Sequence, residues 1–113
     1  PEAMCDELLA WGAPLVAIRL GAKGSRVKAS SGEGWILPAV PTDIVDVTGA
    51  GNSYCGGFVT GLGDGLSPLE AALRGVVSAS FALEQLGAPG WAERPALEAE
   101  HRLRWARERV KTL

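Results

Sequence analysis

The sequence predicts an α/β fold in which a sheet containing an antiparallel hairpin is flanked by helices. Three observations predict it. An apolar run, Leu15 to Leu20 (LVAIRL), directly follows a helical pattern; two further strand-like runs are separated by a glycine turn; and three later segments carry helical spacing with recognisable ends.

In chain order, Pro1 to Trp11 reads as the end of a helix, because Met4, Leu8, Leu9 and Trp11 recur at helical spacing and Gly12 and Pro14 then stop it. LVAIRL is short and mostly apolar, the pattern of a strand buried on both faces of a sheet. Gly21-Ala22-Lys23-Gly24 is a turn signal, followed by strand-like Ser25 to Ser30, a second turn over Ser31 to Gly34, and Trp35 to Val40 as the returning strand. Pro38 and Pro41 put that strand at an edge or end it early, since proline cannot donate to a ladder.

The segment from Ile44 runs extended into Thr48-Gly49-Ala50-Gly51 and then into an apolar, glycine-tolerant helix over about Asn52 to Leu62. Ser67-Pro68-Leu69-Glu70 opens the next helix with an N-cap serine, proline at the first helical position and glutamate at the third. That helix is expected to reach about Leu86 with Gly87 as its C-cap. Val76, Val77, Ala79, Phe81, Ala82 and Leu83 make it apolar nearly all round, so it belongs between other elements. After Pro89-Gly90-Trp91 the composition turns charged. Pro95 to Val110 reads as a surface helix with Leu97, Leu103 and Trp105 inward and His101 solvated. There is no internal repeat, low-complexity tract or second domain.

Length and charge narrow the function. At 113 residues the chain makes one small domain, and Pro1 at the start with Met4 as the only methionine reads as a piece of a longer product. Eleven basic against thirteen acidic residues, net charge -2, argue against nucleic acid or anionic membranes as partners. The longest uncharged stretch, Val47 to Gly63, is too short for a spanning helix and holds six glycines; with no secretory signal pattern, a soluble cytoplasmic protein is expected. Cys5 and Cys55 have neither zinc-ligand spacing nor a disulfide framework around them, and both are expected as small buried hydrophobes. Trp11, Trp35, Trp91 and Trp105 are spread over separate elements, which fits core and rim packing rather than a stacking site.

The chemistry concentrates at the Gly49-Ala50-Gly51 turn. A helix starting there leaves backbone N–H groups unpaired at the positive end of its dipole, an anion site into which Gly49 and Gly51 admit a phosphoryl oxygen without a Cβ in the way. Asp46, just ahead, is placed to help hold a cation. A plain structural turn is the competing reading. No Gly-Lys dipeptide exists, which removes a Walker A loop, and GAGNSY lacks the third glycine of the dinucleotide fingerprint.

Asp46 to Phe58, DVTGAGNSYCGGF, resembles the C-terminal signature of PfkB-type, ribokinase-like carbohydrate kinases: Asp, a small residue, any residue, Gly-Ala-Gly-Asp, three residues, two small residues and an apolar one. Every position fits except Asn52. LVAIRLGAKGS resembles the family's strand ending in Leu-Gly-x-x-Gly, and Gly87-Ala88 its adenine-side loop; the likeness fades after Pro89. The resemblance implies that residues 1–113 are the C-terminal, nucleotide-binding portion of a ribokinase-like domain whose preceding sugar-binding half lies outside the chain. It implies transfer of the γ-phosphoryl of ATP, with Mg2+, to a hydroxyl of a sugar or related small molecule. Gly49, Ala50 and Gly51 would form the anion hole, and Lys23 and Gly24 would lie near the nucleotide. Val76, Ser80, Leu86, Gly87 and Ala88 would line the adenine pocket. Asp46 and the Thr48 carbonyl would correspond to a monovalent-cation site, K+, that some members use. A homodimer stays an open expectation.

Asn52 stands where the family has its catalytic base, and an amide cannot accept the proton of an attacking hydroxyl. A kinase with weakened or redirected catalysis and a non-catalytic nucleotide-binding or structural module are therefore the two readings. A serine hydrolase elbow around Ser53 is rejected because position 55 is cysteine rather than glycine and the lone His101 lies in the charged helix. Arg19, where the family often has a small hydroxyl residue, has no functional reading from sequence.

Overall fold

A computed structural model describes residues 2–44, 49–84 and 96–113. Helix α1 (Glu2–Ala10) leads into strand β1 (Leu15–Arg19), and a one-turn 3-10 helix (Gly21–Lys23) turns the chain into β2 (Ser25–Ala29) and then β3 (Gly34–Leu37). Three helices follow, α2 (Ala50–Gly63), α3 (Pro68–Leu83) and α4 (Ala96–Glu108), and the chain closes on a two-residue strand, β4 (Lys111–Thr112). The sheet is antiparallel throughout in the order β1-β2-β3-β4.

The hairpin forms as its turns predict, with Ser25 opposite Leu37 and Lys28 opposite Gly34. Strand β3 stops at Leu37, one residue before Pro38, as a residue without a ladder donor requires. It is not an edge, because β4 pairs on its far side, placing Trp35 opposite Thr112. Two charged or polar residues near the end of a chain carry no period from which that strand is readable. Strand β1 also departs from expectation: Val16 is buried, whereas Ala17 and Arg19 are exposed. It pairs only with β2 among the described residues and is covered on one face, so its apolar composition overstates its burial.

Val27 and Leu37 from the hairpin, Tyr54 and Phe58 from α2, and Leu73 and Val76 from α3 make one core, closed by Ala106 of α4. Helices α2 and α3 approach closely because three glycines line their contact. A Cβ at Gly61 would come within 2.9 Å of the Ala71 Cα, one at Gly57 within 2.8 Å of the Arg74 carbonyl oxygen, and one at Gly75 within 2.7 Å of the Tyr54 carbonyl oxygen. Helix α3 starts as its capping box dictates: the Glu70 amide donates to Ser67 Oγ at 3.2 Å, with Pro68 in the first turn. Nine of its residues are buried, in keeping with its all-round apolar pattern. It ends at Leu83, three residues earlier than the pattern suggests, where Glu84 tightens the last turn by donating its amide to the Phe81 carbonyl. The expected cap, Gly87, lies outside the described residues.

Three inward assignments are corrected. Leu97 is 62 % exposed. It precedes buried Ala106 by nine residues, two and a half turns, which sets the two on opposite faces. Cys5 is buried, but Cys55 faces outward on α2. Trp35 and Trp105 pack on the core and the Arg109 guanidinium lies 4.3 Å over the Trp105 ring, but Trp11 is exposed and Trp91 lies outside the described residues. His101 is exposed, as expected. No described helix is long and apolar enough to cross a membrane.

Candidate functional site

The glycine turn shapes the start of α2. Gly49 adopts φ 83°, a left-handed conformation that costs a residue with a Cβ but not glycine, and serves as the N-cap. Its carbonyl accepts the first intrahelical bond, from the Ser53 amide at 2.8 Å, so the helix begins at Ala50, two residues ahead of the expected start. No side chain caps it. The amides of Ala50, Gly51 and Asn52 therefore stand ahead of the helix's own bonding ladder, at the positive end of its dipole.

The hairpin shapes the opposite wall. Gly24, at φ 89° and ψ -145°, closes the turn after β1, and its backbone lies directly against the Leu37 carbonyl oxygen, where a Cβ has no room. A buried hydrogen bond of 2.8 Å between Ser25 Oγ and Tyr54 Oη ties the hairpin to α2. Burial pushes the Tyr54 phenol above its ordinary pKa, while the Ser25 bond and the positive charge of Arg19 pull it back.

Between these walls lies a cleft of ≈ 570 Å³. Five of the residues expected at a nucleotide site line it together: Gly24, Ala50, Gly51, Val76 and Ser80. Lys23 is exposed beside Gly24, and Gly49 and Asn52 are exposed at the α2 start; none of the three lines the cleft. Asp46, Thr48, Leu86, Gly87 and Ala88 lie outside the described residues. A smaller hollow of ≈ 390 Å³, lined by Thr60, Asp64 and Arg74 among others, holds none of the expected residues.

The cleft also recruits residues that sequence reasoning passed over. Val40, Ile44, Ala79 and Leu83 extend its apolar lining, and Ile44 is 61 % exposed, an isoleucine without a full apolar neighbourhood. Thr42 lines it too, and its buried Oγ1 has no hydrogen-bond partner among the described residues. A buried hydroxyl left unpaired costs about 1–3 kcal/mol, which a polar ligand group in the cleft would relieve. Arg19 contributes its guanidinium, packed against the Gly51 backbone. The Ser80 hydroxyl is committed elsewhere: it donates to the Val77 carbonyl at 2.6 Å and accepts from Arg102 Nη1 at 2.9 Å. Arg102 in turn holds Glu84 through two bonds, at 2.7 and 3.0 Å, and lies 4.2 Å over the Phe81 ring, so α4 braces the wall that Ser80 belongs to.

This arrangement suits a ligand with an apolar, flat body and an anionic end. The body would rest on Val76 and Ala79, and the anion would meet the free amides at the α2 start.

Comparison with known proteins bears on the same segment. Residues 2–93 match the model of the pfkB family carbohydrate kinases. The 2-dehydro-3-deoxygluconokinase of Bacillus subtilis is 40% identical over 90 residues, which cover 80% of this chain and 27% of that protein. The ribokinase of Thermotoga maritima superposes with a TM-score of 0.75 at 31% identity over 91% of this chain and 34% of its own. The fructokinase of Vibrio cholerae, solved with fructose, ADP and calcium ion, superposes with a TM-score of 0.74 at 25% identity over 90% of this chain and 34% of its own. The chain spans between a quarter and about a third of the length of these three proteins.

Proposed function

Because this chain belongs to the pfkB family of carbohydrate kinases, we propose that it is the nucleotide-binding portion of an enzyme that transfers the γ-phosphoryl of ATP to a hydroxyl of a sugar or a related small molecule. The observation that carries this reading is the convergence of Gly24, Gly51 and Val76 on one cleft, from three segments distant in sequence. The Thr42 hydroxyl in the same cleft, without a partner among the described residues, fits a polar ligand.

In this reading each residue has a positional task. Val76 and Ala79 hold the adenine by apolar contact, and Ser80 shapes the wall through its backbone and Cβ, since its hydroxyl is occupied by Val77 and Arg102. Gly24 lines the cleft from the hairpin turn, and Lys23, exposed beside it, would lie near the nucleotide. Gly49, Ala50 and Gly51 present backbone donors where negative charge grows during phosphoryl transfer, and most of the catalysis in such reactions comes from positioning and charge neutralisation. A bound Mg2+ would neutralise phosphoryl oxygens, and Asp46 with the Thr48 carbonyl would hold a monovalent cation, K+, beside the turn. Leu86, Gly87 and Ala88 would close the adenine side. The acceptor site belongs to the two thirds or more of the relatives' length that this chain does not span. The Bacillus subtilis relative supports a sugar-derived acceptor.

Asn52 supports a second reading, a nucleotide-binding module without catalysis, because the position of the family's base holds an amide. The two readings share the cleft and divide on turnover.

Gly51→Val tests the cleft. Among the described residues the new side chain would run into the Arg19 guanidinium and crowd the amides of the α2 start. Calorimetric titration of the full-length protein with a non-hydrolysable ATP analogue is expected to show affinity lowered ~10-fold or more, the worth of one or two charge-assisted hydrogen bonds, while circular dichroism stays unchanged. Equal affinity in both forms would show that the turn is only structural.

A further inference from the structure

Helix α3 turns one stripe to the cleft: Val76, Ala79, Ser80 and Leu83 all line it, at the spacing that brings residues three and four apart onto one face. Ser80 stands at the edge of that stripe, because α4 reaches its hydroxyl from the other side. The Arg102 guanidinium holds three residues with three different nitrogens. Nε donates to Glu98 on its own helix at 3.0 Å, Nη1 to Ser80 at 2.9 Å, and Nη2 to Glu84, the C-cap of α3, at 2.7 Å. Its Cζ lies 4.2 Å from the centre of the buried Phe81 ring.

Burial separates this contact from an ordinary surface pair. The Arg102 side chain is 12 % exposed, whereas that of Arg107, which pairs with Glu70 at the opposite end of α3, is 47 % exposed. An exposed pair contributes little, but a desolvated guanidinium with its partners in place fixes the groups around it. The Ser80 hydroxyl donates its one proton to the Val77 carbonyl, so Arg102 meets its lone pair, and the hydroxyl cannot rotate toward the cleft while both bonds hold. Helix α4 lies beyond residues 2–93, so the family match does not account for this contact.

We infer that Arg102 is a positioning residue for the base-binding end of the cleft: by clamping Ser80, Phe81 and Glu84 from α4, it fixes the α3 wall on which the adenine rests and so sets affinity for the base rather than for the phosphates. The inference rests on the nucleotide reading of the cleft. A wall held in its bound shape before the ligand arrives leaves less to be ordered on binding.

The test is calorimetry with ADP and with adenosine on full-length wild type, Arg102→Met, Arg102→Lys, Ser80→Ala, the Arg102→Met/Ser80→Ala double variant, and Arg107→Met as control, below the melting temperature of every form. Arg102→Met is expected to weaken ADP and adenosine by the same factor, ~3- to 30-fold. Arg102→Lys should come close to it, because an ammonium keeps the charge but not the planar fork that reaches three partners. Arg107→Met is expected to leave both affinities within about twofold, since it breaks only the exposed pair. Ser80→Ala is expected to give part of the loss, and the double variant to lose less than the product of the two single losses, because both act through one contact.

Unchanged ADP affinity in Arg102→Met would overturn the inference and leave the contact a structural brace alone. Loss for ADP without loss for adenosine would overturn it by showing that the charge of Arg102 acts on the phosphates at a distance. A comparable loss in Arg107→Met would overturn it by showing that any loosening of α4 suffices, and fully multiplicative losses in the double variant would overturn the route through Ser80. Where Arg102→Met does not fold, Arg102→Lys and Ser80→Ala carry the same comparison, and unchanged affinity in both overturns the inference. A wild type that binds neither ligand would instead overturn the nucleotide reading itself.

Discussion

Asn52→Asp in the full-length protein is expected to raise the rate of phosphoryl transfer from ATP to the correct acceptor by ~10²-fold or more, the usual contribution of a positioned general base. Asn52 sits at the third residue of α2, exposed beside the glycine turn, so the new carboxylate would project from the first helical turn without displacing a packed neighbour. An acid there also interacts favourably with the helix dipole, and the substitution should leave stability unchanged or slightly improved. The only chemical novelty is a group able to take the proton of the attacking hydroxyl. If the protein is a kinase lacking its base, the rate rises while ATP affinity changes little. If it is a non-catalytic module, the rate stays at background, and the added negative charge beside the γ-phosphate weakens ATP binding. High activity in the Asn52 form, unaffected by the substitution, would contradict the role assigned to this position, because another residue would then have to act as base. Steady-state rates and ATP affinities of the two forms separate the three outcomes.

Gly24→Ala is expected to cost ~3 kcal/mol or more of folding stability, combining a backbone conformation open essentially to glycine alone with a forced displacement of neighbouring backbone. At φ 89° and ψ -145°, an alanine Cβ would be driven into the Leu37 carbonyl oxygen, a rigid atom next to the buried centre of the sheet. The clash sits on the wall of the cleft, so a variant that does fold should also bind nucleotide poorly. Gly32→Ala is the control. It has φ 100° with nothing within 4 Å of the added carbon, so only the conformational cost of about 1 to 2 kcal/mol applies. Urea unfolding of both variants checks the contrast, and equal losses would show that Gly24 matters for its dihedral angles alone.

The parts of this molecule that were legible in the sequence are those governed by local rules. Ser67, Pro68 and Glu70 announced α3 because a capping box acts within four residues. Pro38 announced the end of β3 because a missing donor cannot be compensated by tertiary packing. The glycine turn was legible as the start of a helix, and the positive φ of Gly49 is the physical reason for the glycine there. What was illegible depends on partners far away in sequence. The burial of β1 depends on what covers its second face, and Arg19 acquires meaning only once α2 brings Gly51 against it. Ser80 was readable as a cleft residue, but its engagement by Arg102, twenty-two positions on, was not. Leu97 failed for a different reason, since a mostly polar helix with few apolar residues does not define its inward face.

The most direct test of the account is a crystal structure of the full-length protein with ADP and Mg2+. The account predicts the adenine against Val76 and Ala79, with phosphoryl oxygens within hydrogen-bonding distance of the amides at the α2 start, in the cleft that Gly24 and Gly51 wall. A nucleotide ordered elsewhere, for example in the hollow lined by Thr60, Asp64 and Arg74, with the larger cleft empty, would contradict it.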